Sequence, residues 1–382
     1  MPAFRLCLIA LLALAALAPS AQAAPPAPPP PFWTGADLSA LPVRESRGMT
    51  YSQDGKTQDL LVIARKSGWN VVRVRLWVNP DPSKPESRVS DLAGVTALGR
   101  RIKAAHLQFL LDLHYSDTWA DPGHQKKPAA WDSLPFPQLV AQVRDYSRAV
   151  MEHLRENGAL PDAVQIGNET RNGLLYGSGT NGAGPQPGGG FWEKTPGGRD
   201  RAVHLLAAGL AGVREGAAPA RVPQTILHIP DGQDTRFVQD YFRDLDASAK
   251  TQRVALDFDL VGLSYYPAHP WDKKAGYDGW TLARLSASMA WIAATLHKPV
   301  AVVETSWPQA GSPDPVPGAP EFPFTPEGQV QFYQALLRAV RAVPGGLGRG
   351  VIAWDQDSCN WDSVFDAHGA ALPAARTLGT AP

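Results

Sequence analysis

The sequence predicts an α/β fold of one kind, a (β/α)8 barrel built as a single domain. Two runs, Ala163-Val164-Gln165-Ile166 and Pro299-Val300-Ala301-Val302-Val303, are short, apolar and rich in β-branched residues, which is how buried parallel strands read. Runs of this kind alternate strictly with helix-length segments, which argues for a parallel sheet. Eight such units fit the chain, which argues for a closed barrel over an open sheet. Several of the runs end abruptly in polar and aromatic residues, as strands do at the mouth of a barrel.

Taken in order, Met1 to Ala23 reads as a secretory signal. Arg5 is the positive residue, Leu6 to Leu17 the apolar run, and Ala21-Gln22-Ala23 the cleavage site. The run is shorter than the about 20 apolar residues of a membrane span. Cleavage would remove Cys7 and leave Cys359 as the single cysteine, so no internal disulfide is expected. Residues 24–31 (APPAPPPP) form a proline-rich linker of extended polyproline type. The barrel domain is expected over residues 32–382.

Strand one is Gly35 to Leu38, followed by a helix around Thr57 to Lys66. Strand two is Asn70 to Trp77, with a helix around Leu92 to Ala105. Strand three is Leu107 to His114, with a helix from Pro137 to Glu156. Strand four ends at Glu169, and a helix around Arg199 to Glu215 follows a long insertion. Strand five is Gln224 to Ile229, strand six Phe258 to Tyr265, strand seven ends at Glu304 and strand eight is Gly350 to Trp354. Helices around Asp234 to Asp244, Leu282 to Leu296 and Glu327 to Val343 fill the remaining gaps.

Charge is balanced, with 36 Lys and Arg against 36 Asp and Glu, and no basic tract points to nucleic acid or an anionic membrane. The chemistry is expected from Glu169 and Glu304. Each closes a strand, so both would face one cleft. Two carboxyls there are what glycosidic-bond hydrolysis needs: an acid for the leaving oxygen, and a base or nucleophile at the anomeric carbon. A lone strand-end Glu could equally cap a helix or pair with an arginine; two of them, with Asn168 beside the first and aromatics around both, favour catalysis. Strand two offers Arg73, Arg75 and Trp77, strand three Asp112, His114 and Tyr115, strand five His228, strand six Ser264, Tyr265 and Tyr266, and strand eight Trp354 and Asp355. Arg73 and Arg75 share a face; on the lumen side they would hold Glu304 ionised. His114 and His228 lie near Asp112 and Asp231. Without an H-x-H or H-E-x-x-H pattern, however, a catalytic metal is not expected.

These residues carry a resemblance. The segments GADLS (35–39), NVVRVRLWVNP (70–80), LDLHYSDTWADPGHQKKPAAW (111–131), VQIGNET (164–170), GLSYYP (262–267) and VVETSWP (302–308) resemble family 53 of the glycoside hydrolases, the arabinogalactan endo-β-1,4-galactanases. The similarity runs in the family's order over the chain after the proline linker, and HYSDTWADPG is its most specific part. It implies a retaining enzyme that cuts internal β-1,4 links in galactan, the side chain of plant pectin. Glu169 would be the general acid/base and Glu304 the nucleophile. Asn168 would contact the sugar 2-hydroxyl, His114, Tyr265 and Trp354 would line the same subsite, and Arg75 would support the nucleophile. Asp112, His228 and Trp307 complete the expected substrate contacts.

The chain departs from the family at strand eight. An aromatic usually precedes the Trp and Glu-Pro follows it; here the stretch is Ala353-Trp354-Asp355-Gln356, which leaves substrate preference open. Some bacterial relatives hold a structural calcium in the last loop, where Asp355, Asp357 and Asp362 could supply oxygens. No metal and no organic cofactor are assigned. Two loops, Gly173 to Gly198 and Trp307 to Pro326, would wall the cleft, with Tyr176, Phe191 and Trp192 as contacts for a long polysaccharide. The expected protein is a secreted or periplasmic monomer. The alternatives are a related retaining barrel acting on mannan, xylan or glucan, and a sugar-binding barrel without catalysis.

Overall fold

A computed structural model describes residues 31–176, 189–190, 197–268, 281–311 and 321–380. The signal segment, all of the proline linker but Pro31, and Phe191 and Trp192 lie outside the described residues.

Eight parallel strands close on themselves: β1 (Trp33–Asp37), β2 (Val71–Leu76), β3 (Gln108–Leu113), β4 (Ala163–Ile166), β5 (Gln224–Ile229), β6 (Leu260–Tyr265), β7 (Val300–Thr305) and β8 (Gly348–Ala353). Each pairs with its sequence neighbours, and β1 pairs with both β2 and β8, which completes the barrel. Besides the short helices Leu41–Ser46 and Ser87–Ser90, the helices that follow the strands are α1 (Leu60–Lys66), α2 (Leu92–Ala104), α3 (Phe136–Glu156), α4 (Gly198–Ala217), α5 (Thr235–Gln252), α6 (Leu282–Trp291), α7 (Pro326–Arg341) and α8 (Pro373–Gly379). The (β/α)8 expectation therefore holds.

Local chemistry explains the boundaries. Asp59 accepts from the Leu61 amide, so α1 starts at Leu60 and not at Thr57; Lys56–Gln58 instead pairs with Tyr51–Gln53 as a hairpin. Asp91, Asp234 and Thr325 cap α2, α5 and α7 in the same way, each side chain taking an otherwise orphaned amide. The segment expected as one helix to Leu296 is α6 followed by a π-helical turn, Ile292–Leu296. Helix α8 was not anticipated; it closes the base, where Trp69 Nε1 donates to the Ala375 carbonyl at 2.8 Å.

Alternation along the strands makes two cores. The outward residues, Val72, Val74, Leu111, Val164, Leu227, Val261, Leu263, Val302 and Val351 among them, pack beneath the helices. The inward residues Trp33, Val71, Leu110, Ala163, Ile226, Leu260, Ala301, Val303 and Ile352 fill the lower barrel. Above that apolar floor the inward positions become polar.

Candidate active site

The polar layer is organised by Arg73, which is 1% exposed. Its Nη1 donates to Asp37 Oδ2 at 2.8 Å and its Nε to Gln165 Oε1 at 2.8 Å. Its Nη2 lies 2.8 Å from Asp112 Oδ2, 2.8 Å from Asn168 Oδ1 and 2.6 Å from Glu304 Oε1. One guanidinium thus serves three carboxylates, a duty its planar fork suits and an ammonium would not. Burial works against the charge of Asp112, but Arg73, then His114, hold it down at about 2.

A bulge brings Glu304 into this layer. Along β7, Ala301 and Val303 face the lumen, so simple alternation would send Glu304 outward. The register shifts between Leu263 and Ser264, so Glu304 pairs with Ser264, an inward residue. Glu304 Oε2 accepts from the Tyr266 hydroxyl at 3.0 Å. Burial pushes this carboxyl up to about 7, although Arg73 and then Tyr266 pull against it.

Glu169 arrives differently. β4 stops at Ile166, three residues short of the expected end, because Gly167 takes φ 81 and turns the chain. A Cβ there would lie 2.7 Å from Thr170 Cγ2. Glu169 itself adopts φ 46, a region that ordinary residues avoid and functional sites often use. Asn168 is locked at both ends of its amide, with Nδ2 donating to the Ala120 carbonyl at 2.7 Å and Oδ1 held by Arg73. Gln125 Nε2 donates to the Asn168 carbonyl at 2.6 Å, tying the loop after β3 to the loop after β4. The Glu169 carboxyl accepts at Oε1 from Ser264 Oγ at 2.6 Å. Burial first, and then the charge of Glu304, raise its affinity for a proton. Of the two carboxyls, Glu304, with its guanidinium contact, ionises first.

Aromatic rings wall the cleft. Trp119, 37% exposed, meets Trp77 and Trp354 edge-on with centroids 5.5 and 6.4 Å apart, and Tyr266 meets Trp354 at 6.4 Å. His114 accepts the Ala120 amide at Nδ1, so Nε2 carries the proton and lies 2.9 Å from Asp112 Oδ2.

Several expected contacts need correction. Tyr265 points out of the barrel and stacks on Phe332 of α7 at 6.2 Å; its neighbour Tyr266 is the one at Glu304. Trp307, 2% exposed, is a core residue stacked on Phe332 at 4.8 Å, with its Nε1 donating to the Pro323 carbonyl. Arg75 does not reach Glu304: its guanidinium lies 4.1 Å from the Trp119 ring centre and 5.2 Å from that of Trp77. Arg73 has the supporting role. His228 and Asp112 are fully buried, with partners within the protein, and act behind the carboxyls. Tyr176 ties its backbone to the 125–127 segment and buries its hydroxyl.

In the last loop, Asp357 is buried with no hydrogen bond to either carboxylate oxygen, and burial and Asp355 push it well above the usual range. Among the described residues no three His, Cys, Asp or Glu side chains are grouped to hold a metal ion. Sequence reasoning missed Trp119, Gln165 and Asp37. Trp119 stood within the SDTW motif, and Asp37 and Gln165 sit at inward positions that counting by twos along β1 and β4 would have found.

A parallel barrel with two carboxyls at its mouth, one held by a guanidinium and the other by a serine hydroxyl, between indole walls, has what glycosidic-bond hydrolysis needs, and this protein is a glycoside hydrolase. The model of glycosyl hydrolase family 53 matches residues 33–376, and the chain belongs to that family. It is 37% identical over 328 residues to a probable arabinogalactan endo-β-1,4-galactanase A of Aspergillus terreus, covering 85% of each chain. An arabinogalactan endo-β-1,4-galactanase A of Emericella nidulans is 33% identical over 320 residues, 83% of each. Among solved structures, one from a study of two fungal β-1,4-galactanases superposes with a TM-score of 0.76 at 31% identity, covering 91% of this chain and 98% of that one.

Proposed function

We propose that this protein is an arabinogalactan endo-β-1,4-galactanase that cleaves internal bonds of galactan, including pectin side chains, with retention of configuration. The observation that carries the mechanism is the unequal bonding of the two carboxyls. Glu304 is held by Arg73 and Tyr266, which favours an ionised nucleophile, whereas Glu169 lies between burial and a neighbouring negative charge, which favours a proton. In the first step a Glu304 oxygen attacks the anomeric carbon, the glycosidic bond breaks, and Glu169 gives its proton to the leaving oxygen. In the second, Glu169 takes a proton from water, whose oxygen attacks the same carbon and frees Glu304. Two carboxyls and water suffice, so the reaction needs no cofactor.

The choice of galactan rests on the names of the relatives. The apolar segment at residues 6–17 and the cleavage site after Ala23 support export, with a monomer as the working unit. Among the described residues no helix is long and apolar enough to cross a membrane.

Reducing ends released from galactan, mannan, xylan and glucan test the substrate, and proton NMR of the first product tests the stereochemistry. Galactan alone should be cut, with the β-anomer appearing first. Glu304→Ala with azide and an activated galactoside should give the α-galactosyl azide. Cleavage of another glycan in place of galactan, or an α-anomer as first product, overturns the proposal.

A further inference from the structure

Behind Glu169 stand two buried residues that the proposed mechanism does not use. Ser264, at the inward end of β6, is 1% exposed, and His228, at the inward end of β5, is 0% exposed. Around His228 Nδ1 are two N–H donors, Gln165 Nε2 at 3.0 Å and the Glu169 amide at 3.3 Å, and one acceptor, Asn168 Oδ1 at 3.0 Å. Gln165 is oriented in turn, since its Nε2 also donates to Asp112 Oδ1 and its Oε1 accepts from Arg73. Asn168 Oδ1 already accepts from Arg73 Nη2, and the two donors have no other use for Nδ1 than as an acceptor, so the ring proton is assigned to Nε2. Nε2 lies 2.9 Å from Ser264 Oγ, and Ser264 Oγ lies 2.6 Å from Glu169 Oε1. A hydroxyl has one hydrogen. With Oγ accepting from His228, that hydrogen goes to Glu169.

We propose that His228 and Ser264 form a one-way hydrogen-bond relay that reserves Oε1 of Glu169 as an acceptor, so that the catalytic proton is carried on Oε2. The inference rests on reading Glu169 as the acid/base. Its content is directional: the proton is delivered from, and returned to, one defined oxygen, and Ser264 is the positioning residue that selects it.

Direction requires that His228 remain neutral. Arg73, Asp112 and His114 are the charged or titratable groups that act on it. Burial, followed by the Arg73 charge, keeps it well below its ordinary range, so the relay does not reverse near neutrality. The groups acting on Glu169 are Glu304, Asp121 and Arg73, and Ser264 is the donor that opposes the first two. Donation to Oε1 favours the carboxylate, so Ser264 also keeps Glu169 from binding its proton too tightly to release it. A tie between a strand-end serine and the acid/base has a further effect. Glu169 leaves β4 through a turn and a strained φ, and this bond anchors its side chain to the rigid wall of β6.

The test is Ser264→Ala, with Ser264→Thr as the variant that keeps the hydroxyl. In Ser264→Ala the alkaline limb of kcat/KM on galactan should move up by about one pH unit, the effect of one hydrogen bond to a charged group. Its kcat should fall about tenfold, with KM little changed. Ser264→Thr should return the limb towards the wild-type position. Introducing Ser264→Ala into Glu169→Ala should cause no further loss in azide-assisted turnover of an activated galactoside, because the relay acts only through Glu169. An unmoved alkaline limb in a Ser264→Ala protein of normal melting temperature overturns the relay, as does an equal loss in the Glu169→Ala background. If Glu169→Ala retains full activity on galactan, or gains nothing from azide, the acid/base reading itself is overturned and the relay falls with it.

Discussion

Glu304 has a donor on each oxygen, whereas Glu169 has a donor on one and a negative neighbour, so substitution of the donors should move the two limbs of the pH profile separately. Removing the phenol with Tyr266→Phe takes away a bond that lowers the proton affinity of Glu304. The acid limb of kcat/KM should shift to higher pH and the rate fall about tenfold, in keeping with one hydrogen bond to a charged acceptor. A pH titration of activity decides; an acid limb that stays in place would remove Tyr266 from the account. The two tryptophans expected at the cleft, Trp307 and Trp354, should also part company. Trp307→Ala empties a place in the core beside Phe332 and should cost about 3–5 kcal/mol of stability. Trp354→Ala, at the cleft, should raise KM while the urea midpoint barely changes.

At the scale of the element, the seam between β1 and β8 depends on Gly350. It has φ 147, and a Cβ there would stand 2.1 Å from the Trp33 carbonyl oxygen. Gly350→Ala must part the strands that close the barrel, so a stability loss above about 3 kcal/mol is expected from urea unfolding. A midpoint near that of the wild type would mean the seam can slide. The strands themselves were legible because buried parallel strands are continuous apolar runs, and the β-branched residues of Val71-Val72 and Val300 to Val303 favour strand over buried helix. Direction was harder. Tyr265 and Tyr266 are adjacent, alike and at a strand end, and only the lumen parity set by Leu260, Gly262 and Ser264 separates them. Glu304 is the converse case. Strict parity would send it outward, and the bulge that returns it arises from pairing between β6 and β7, which no local pattern encodes. Helix α8 went unread because its seven residues, PAARTLG, carry little period; it exists through contact with the barrel base.

Across the whole molecule, stability should follow the buried carboxyls. Asp112 is held at about 2 in the folded chain, below its ordinary value, so the stability it contributes is present above pH about 4 and lost as pH falls towards 2. Glu169 and Glu304 have the opposite sign. Their folded proton affinity is raised, so the fold is favoured below the ordinary carboxyl range and weakened as pH rises through the raised values. Melting curves of the wild type should therefore decline from pH 5 to pH 8, and Glu169→Gln should flatten that decline while abolishing most activity. An identical slope in the variant would show that the carboxyl ionises as freely in the fold as in water.

The three-to-one ratio of carboxylates to guanidinium around Arg73 reaches beyond the reaction's proton traffic. Three carboxyls share one guanidinium there, so in their ionised form they leave the polar layer beneath the cleft net negative, among apolar side chains that screen it little. A sugar approaching bond cleavage gathers positive charge on its ring, so the field stabilises that passing state more than the resting substrate. A sugar mimic with a protonated ring nitrogen should accordingly bind at least about tenfold more tightly than its neutral carbon isostere, measured by calorimetry. Asp37→Asn, at a residue that bonds Arg73 and neither strand-end carboxyl, should narrow the gap by making that layer less negative.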